Sequence, residues 1–325
     1  MRQSGRAALL LTAVLVAPGM ACDNTKAEKD AANAIAPVGA PPLDLAAKPQ
    51  LLFQVFGERD DPRLLPLAAV VNGAIKPIGL TPRGWRDLDS LYFVTGAKYA
   101  IYHDDIEFGD VEVAAARPQM PLPGCRAMKP IAAAKLTFKE PRSDQTVEFI
   151  ASSTGLTAHP PYKGSLPTEA EIAKLGRALG HSVGKQAAMD DAELDSLDFH
   201  ARMILTGAGT EPTLLVSFID PNGGDLGAGA GHTSHLFLLA EKSATSGAYE
   251  ATYRHAVSGD AKTVEFQRVV DHLDVNGDGI DEIILEAWRY ASEPDLVVLS
   301  FQAGRWHEVL RVKQSWCLDP SKAKK

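Results

Sequence analysis

An acidic loop near the C-terminus constrains the fold more than any other feature of this chain. Residues 274–282 read Asp-Val-Asn-Gly-Asp-Gly-Ile-Asp-Glu, with oxygen-bearing side chains at the first, third, fifth and ninth positions and glycine at the sixth. Ca²⁺ binds about six to eight oxygen atoms, and a glycine allows the backbone to turn tightly around the ion. An apolar, strand-like run follows at residues 283–285. The segment therefore predicts an ion-stabilised turn between two strands, and it predicts no reaction.

The loop resembles the calcium loops of FG-GAP and VCBS-type repeat proteins, whose pattern is Asp-x-Asn/Asp-x-Asp-Gly-x-x-Asp/Glu. The residues that carry the match are Asp274, Asn276, Asp278, Gly279 and Glu282. The resemblance implies that a structural Ca²⁺ is bound by side-chain oxygens of Asp274, Asn276 and Asp278, by the Ile280 carbonyl and by Glu282. An EF-hand is the less consistent alternative, because its twelfth position is Leu285 here rather than glutamate. The other alternative is a turn whose carboxylates are merely solvated.

The N-terminus has the features of an export signal. An apolar run at residues 7–18, too short to span a bilayer, follows a positively charged start. Gly19 and Ala21 are small residues at positions −3 and −1 before Cys22, an arrangement that resembles a bacterial lipobox. We therefore expect residues 1–21 to be a signal peptide and Cys22 to carry lipid that anchors the protein to a membrane. The same residues also permit simple cleavage after Ala21, which would give a soluble secreted or periplasmic protein.

The cysteine count agrees with export. The chain has three cysteines, and lipidation of Cys22 leaves the pair Cys125 and Cys317. In an oxidising compartment these two can form the one remaining intramolecular disulfide, and the alternative is two buried free thiols. Residues 22–50 are rich in Ala, Pro, Lys and Asp, a composition that predicts a flexible tether. The formal net charge of −8, without a basic stripe, argues against a nucleic-acid partner.

The folded part is predicted to be mainly β. Residues 51–150 contain short β-rich runs with turn signals, which predict a small barrel or sheet of five or six strands. One of these strands is placed at residues 91–94, and one of the turns at residues 108–109. Residues 151–198 form a helical connector, whose helix begins at a capping box of Thr168 and Glu171.

Residues 199–325 contain an internal repeat. The run at 213–218 matches that at 282–287, and further matches follow in each unit. Each unit is expected to be a propeller-like β-meander, so that the C-terminal domain has two such units. The stretch that aligns with the acidic loop, residues 205–210, contains no carboxylate. Only the second unit is therefore predicted to bind an ion.

The catalytic signals are sparse. His232 and His235 have a spacing found in zinc sites, but the sequence nearby supplies no third ligand, and a loop that returns into a strand is the simpler interpretation. The acid pairs at residues 104–105 and 190–191 are interpreted as turn and helix-start residues. The four tryptophans are expected to anchor β cores, and one or two of them to line a ligand groove if the protein binds glycans.

These features favour a non-enzymatic protein of the cell envelope. We expect it to be exported, attached to the membrane through lipid, and engaged in binding or scaffolding with an unidentified protein or glycan. The alternative is an exported hydrolase with a site near His232 and His235.

Overall fold

The computed structural model describes residues 43–117, 129–157, 159, 162–220 and 231–314. The predicted signal peptide and most of the predicted tether lie outside the described residues, as do Cys22, Cys125 and Cys317. A 3-10 helix at Leu45–Ala47 begins the described chain, and Leu45 is buried against the core of the first sheet. No helix in the described ranges is both long and apolar enough to cross a membrane.

The N-terminal part forms a closed, antiparallel barrel, one of the two arrangements that the sequence left open. Its strands are β1 (Gln50–Glu58), β2 (Asp61–Val71), β3 (Ala74–Pro77), β4 (Lys98–His103), β5 (Ile106–Arg117), β6 (Ile131–Phe138) and β7 (Thr146–Ser152). The strand order is β1-β7-β4-β5-β6-β2-β3, and β1 also pairs with β2, so that six strands close and β3 extends from β2. Closure leaves few free strand edges, and the alternating apolar side chains fill the interior.

The strand predicted at residues 91–94 is wrong, because α1 (Pro82–Tyr92) occupies the first half of that stretch and the second half belongs to no strand. Thr81 caps this helix by accepting the Gly84 N–H, and proline stands at its first position, where its missing N–H costs nothing. Trp85, Leu88 and Tyr92 share one face and are buried in the barrel core. The segment is helical despite its β-like composition, because the helical spacing of these three residues allows them to be buried together.

The turn predicted at residues 108–109 is also wrong. Gly109 lies inside β5, where an added Cβ would meet the Thr137 carbonyl oxygen at 2.2 Å. The chain turns instead at Asp104 and Asp105, whose φ angles are 48° and 59°. Two positive φ angles in a two-residue connection are those of a type I′ hairpin, a position usually taken by Asn-Gly. Two aspartates at this turn suggest a role other than chain reversal.

Two helices follow the barrel, α2 (Glu169–Gln186) and α3 (Asp191–Asp195). The predicted capping box of α2 is confirmed, since Thr168 and Glu171 bond reciprocally. The closest approach of α2 to the following sheet is made at its glycines. A Cβ at Gly180 would lie 2.3 Å from the Phe218 ring. The missing side chain at this position lets the helix lie close to the following sheet.

The remaining strands form two four-stranded antiparallel sheets, each in sequential order. The first contains β8 (Asp198–Ile204), β9 (Thr213–Ile219), β10 (His232–Lys242) and β11 (Tyr249–Asp260); the second contains β12 (Glu265–Leu273), β13 (Glu282–Arg289), β14 (Asp295–Gln302) and β15 (Arg305–Lys313). The two runs matched in the sequence, 213–218 and 282–287, lie on the second strands β9 and β13. The acidic loop and its uncharged counterpart therefore both connect a first strand to a second.

The barrel and the second sheet share a hydrophobic core. Leu52 and Leu67 of the barrel pack with Leu273, Ile284 and Val298 of the sheet. A separate cluster joins the first sheet to the second. The acidic loop therefore begins at the junction between the barrel and both sheets.

Candidate functional site

The acidic loop is a turn organised by its own carboxylates. Asp274 accepts hydrogen bonds from the N–H groups of Gly277 and Asp278 through Oδ1 and from that of Gly279 through Oδ2. Asp278 Oδ1 accepts the Ile280 N–H at 2.9 Å. Positive φ angles at Gly277 and Gly279 make this tight path possible. The sequence alone predicts this turn correctly.

Four of the five predicted calcium ligands converge in the loop. Asn276 Nδ2 donates to Asp278 Oδ2 at 3.1 Å and to Glu282 Oε1 at 2.6 Å. Asp274 lies beside them and is 5% exposed. Ile280 participates through its N–H, and its carbonyl stays a predicted ligand. The donor set is oxygen-rich and mostly anionic, which fits a hard cation such as Ca²⁺.

Glu282 is the member of this group with the most unfavourable environment. It is 1% exposed, and its partners are neutral groups, the Val275 N–H, the Asn276 amide and the Ser300 hydroxyl. Burial, with smaller contributions from Asp278 and Asp274, raises the pKa of Glu282 to about 8. The ionised form of this carboxyl group therefore requires compensation, which a bound cation would supply.

The loop is attached to the barrel as well as to its own sheet. Gln50 Nε2 donates to the Val275 carbonyl at 3.3 Å, and Val275 is buried with barrel side chains. An ion in the loop would consequently stabilise the junction between the two parts of the fold, and not the turn alone.

Two further acids, which the sequence groups with the loop, face elsewhere. Asp281 is fully buried between two imidazoles, with Oδ1 2.6 Å from His159 Nε2 and Oδ2 2.6 Å from His272 Nδ1. Asp271 is 1% exposed and accepts the Asp104 and His272 N–H groups through Oδ1. Both carboxyl groups therefore have hydrogen-bond partners of their own outside the acidic loop.

The turn between β4 and β5 brings a second polar cluster together. Asp105 donates its N–H to the His272 carbonyl at 3.1 Å, and its Oδ2 accepts the His159 N–H at 2.8 Å. Asp104 Oδ1 accepts from Arg202 Nη1 at 3.2 Å and lies 3.6 Å from His272 Nε2. We call His103, Asp104, Asp105, His159, Arg202, Asp271, His272 and Asp281 the junction cluster.

Sequence reasoning missed the junction cluster because its members lie far apart in the chain. His159 and Asp281 are separated by 122 positions, and no local spacing relates them. The two consecutive aspartates at a two-residue turn are the one available signal. The sequence interpretation of Asp104 and Asp105 as turn residues is correct, but it does not include their contacts with β12.

His232 and His235 do not form a site. They lie three positions apart on β10, so their side chains point to opposite faces of the strand. His235 is fully buried, bonded to the Phe218 carbonyl and the Gln267 N–H, and burial lowers its pKa to about 3. His232 is exposed and contacts Ser258. Neutral His235 therefore joins β10 to β12 as a structural residue.

The other acid pair is structural, as predicted. Asp190 is the N-cap of α3 and accepts the Glu193 N–H, and Asp191 begins the helix and pairs with Lys185. Both carboxylates lie at the positive end of the helix dipole.

A cavity of about 910 Å³ lies between the two four-stranded sheets. Its volume is within the range of small-molecule sites. The residues that characterise its wall are Leu215, Phe237, Trp288, Ser217, His200, Gln267, Arg202, Arg268 and His103. His103 and Arg202 belong to both the cavity wall and the junction cluster, so the cavity extends to that cluster.

No family model matches the chain, and comparison with curated proteins and with solved structures finds no significant match to either. The function is therefore inferred from the cavity, the loop and the junction cluster themselves.

The raised pKa of Glu282 predicts a pH-dependent stability. Between its ordinary pKa of 4.5 and about 8, the folded state binds more protons at this residue than the unfolded state. The free energy of unfolding should therefore fall as pH rises through this window, by on the order of 2–4 kcal/mol from this group. Thermal unfolding in EDTA at several pH values, for the wild type and Glu282→Gln, measures the effect.

The Gln variant should lose less stability than the wild type between about pH 5 and pH 8. A residual decline is expected in both proteins, because burial also raises the pKa of Asp271 to about 6. Equally steep declines in the two proteins would show that Glu282 is not the responsible group.

Proposed function

We propose that this protein is an exported, lipid-anchored envelope protein that binds a glycan in the cavity between its two C-terminal sheets. The observation that carries the proposal is the cavity of about 910 Å³, whose wall combines an aromatic face with hydrogen-bonding side chains. Sugar rings present C–H groups on one face and hydroxyls at the edge, so they need both kinds of surface.

Trp288 is the central residue of this proposal. Of the four tryptophans expected to anchor β cores, Trp85 and Trp306 are buried, whereas Trp288 is only partly buried and lines the cavity. Its ring stacks on Phe266, with centroids 5.7 Å apart, which orients the indole. Ser217 and the exposed His200 supply polar groups in the same wall. A rigid aromatic platform beside hydroxyl and imidazole groups is suited to a neutral saccharide.

The charged residues of the cavity are already paired within the protein. Arg268 donates to Glu148 and Glu286, and Arg202 donates to Asp104. These pairs support a ligand that is neutral rather than strongly anionic, because an anion would have to replace an existing partner of each arginine.

The two C-terminal sheets are proposed to be two propeller-like units, of which the second is stabilised by one Ca²⁺. Asp274, Asn276, Asp278 and Glu282, with the Ile280 carbonyl, would bind the ion. Convergence of the four side chains and the buried, uncompensated Glu282 support this assignment. The ion would act structurally, by neutralising the carboxylates at the base of β13.

No observation in the described residues favours the hydrolase alternative at His232 and His235, whose side chains point apart. The disulfide of Cys125 and Cys317 stays a prediction.

Replacing Trp288 with alanine should weaken glycan binding. The variant removes the stacking surface, so affinity for a saccharide that binds the wild type should fall at least tenfold, and Trp288→Phe should restore part of it. A panel of neutral and acidic oligosaccharides, screened by array and followed by calorimetry, provides the measurement. Absence of any saccharide ligand, or binding that is unchanged in the alanine variant, would contradict the glycan assignment.

Calcium should stabilise the protein through the loop. A site with a Kd of about 10⁻⁴ M would add about 1.4 kcal/mol to the free energy of unfolding at about 1 mM Ca²⁺. Asp274→Ala combined with Asp278→Ala should eliminate the rise in Tm. Asp60→Ala combined with Glu140→Ala removes the same charge from exposed positions and should leave the rise intact. A calcium response that persists in the loop variant would rule out this site.

The lipid anchor is tested by cell fractionation. The wild-type protein should sediment with membranes and partition into detergent, whereas Cys22→Ser should appear in the soluble fraction because it lacks the acylated residue. A wild-type protein that is already soluble would show that the signal peptide is simply removed after Ala21.

A further inference from the structure

We propose that His103, Asp104 and Asp271 form a binding site for a divalent transition-metal ion, with Zn²⁺ as the best fit. This site belongs to the junction cluster, is separate from the acidic loop, and does not depend on glycan binding. Its ligand atoms, one from each residue, lie within 4.8 Å of one another.

Two buried polar atoms without a partner point to the ligand. Among the residues that the structure describes, three buried side-chain nitrogen or oxygen atoms have no hydrogen-bond partner, and two of them are His103 Nδ1 and Asp271 Oδ2. Asp271 is 1% exposed, so water does not readily compensate its free oxygen. Their occurrence in one group of metal-ligating residues is what an ion-binding site requires.

The protein holds one oxygen of each carboxylate and leaves the other for the ion. Asp271 Oδ1 accepts two backbone N–H groups, both at 2.8 Å, which leaves Oδ2. Asp104 Oδ1 accepts from Arg202, while its Oδ2 lies 3.8 Å from His103 Nε2. Hydrogen bonds of this kind fix the orientation of ligating side chains around a metal.

The strand pairing is irregular on both sides of the site, and such irregularities change the direction of nearby side chains. The pairing of β12 with β13 shifts between Val269 and Asp271, and the pairing of β4 with β5 shifts next to the turn. A β-bulge changes the direction of neighbouring side chains and is frequent at binding sites. Here the two bulges bring a barrel strand and a sheet strand to one point.

The ligand types indicate the class of metal. One imidazole with two carboxylates suits Zn²⁺ and neighbouring transition metals, whereas Ca²⁺ and Mg²⁺ prefer oxygen alone. In a tetrahedral zinc site the ligand atoms lie about 3.4 Å apart, so the three side chains need to close by roughly 1 Å. His103 and Asp104 are both partly exposed and can make this movement. Three protein ligands leave a fourth position open, and His103 also lines the cavity.

The charge balance favours a dication. Asp104 and Asp271 are two carboxyl groups, and the Arg202 guanidinium contacts the first of them. Asp281 holds the neighbouring His272 through Nδ1, and the Nε2 of His272 faces Asp104 at 3.6 Å. A metal ion would satisfy the free oxygen of each carboxylate without displacing any of these contacts.

Zinc titration of the purified protein tests the site. The protein is treated with EDTA, dialysed, saturated with Ca²⁺ to occupy the loop, and titrated with ZnCl₂ against a chromophoric chelator. We expect one saturable site, with affinity at least tenfold weaker in Asp271→Asn and in His103→Gln. His307→Gln, which removes an exposed histidine on β15, should bind zinc as the wild type does.

Further measurements distinguish the zinc site from the calcium loop and from loss of folding. The loop variant Asp274→Ala with Asp278→Ala should keep the zinc site, so loss of calcium binding leaves this proposal intact. X-ray absorption of the zinc-loaded protein should show nitrogen and oxygen ligands at about 2.0–2.1 Å with an imidazole contribution. Circular dichroism verifies that the variants are folded. No saturable zinc binding, or unchanged affinity in both ligand variants, would overturn the proposal.

Discussion

The contact between the turn of β4 and β5 and strand β12 is the interaction on which the arrangement of this protein depends. Asp104 and Asp105 each donate a backbone N–H to β12, to the Asp271 carboxylate and the His272 carbonyl. These bonds place the barrel against the second sheet, and the shared apolar core fills the space behind them. The acidic loop, the junction cluster and the cavity all lie next to this contact.

In the two C-terminal sheets, the residue that begins the second strand makes different polar contacts. In the first, Thr213 at the start of β9 bonds to Thr206 and to Glu241, and Trp306 of the second sheet also donates to Glu241. In the second, the aligned residue is Glu282, a buried carboxyl group among other acids. The buried carboxyl group of the first connection, Glu241, thus receives hydrogen bonds from a hydroxyl and an indole, whereas Glu282 lies near Asp274 and Asp278.

Features that depend on neighbouring residues are predicted well from the sequence. Features that depend on contacts between residues distant in the sequence are not. The capping box at Thr168 and Glu171 and the turn of the acidic loop depend on residues within a few positions, so their prediction succeeds. The strand prediction for residues 91–94 fails because α1 extends to Tyr92, and the packing of this helix against the barrel core decides its position. Pairing of His159 with Asp281 depends on the assembled fold and has no counterpart in any local pattern.

At the end of the acidic loop, two consecutive acidic side chains point into different environments. Asp281 and Glu282 are adjacent and both buried, yet they face different groups. Asp281 lies between two imidazoles, each of which contacts one of its carboxylate oxygens. Glu282 has neutral hydrogen-bond partners and lies near two further carboxylates, so its burial raises its pKa. A single peptide step thus separates an acid held between two imidazoles from an acid whose ionisation is disfavoured by burial.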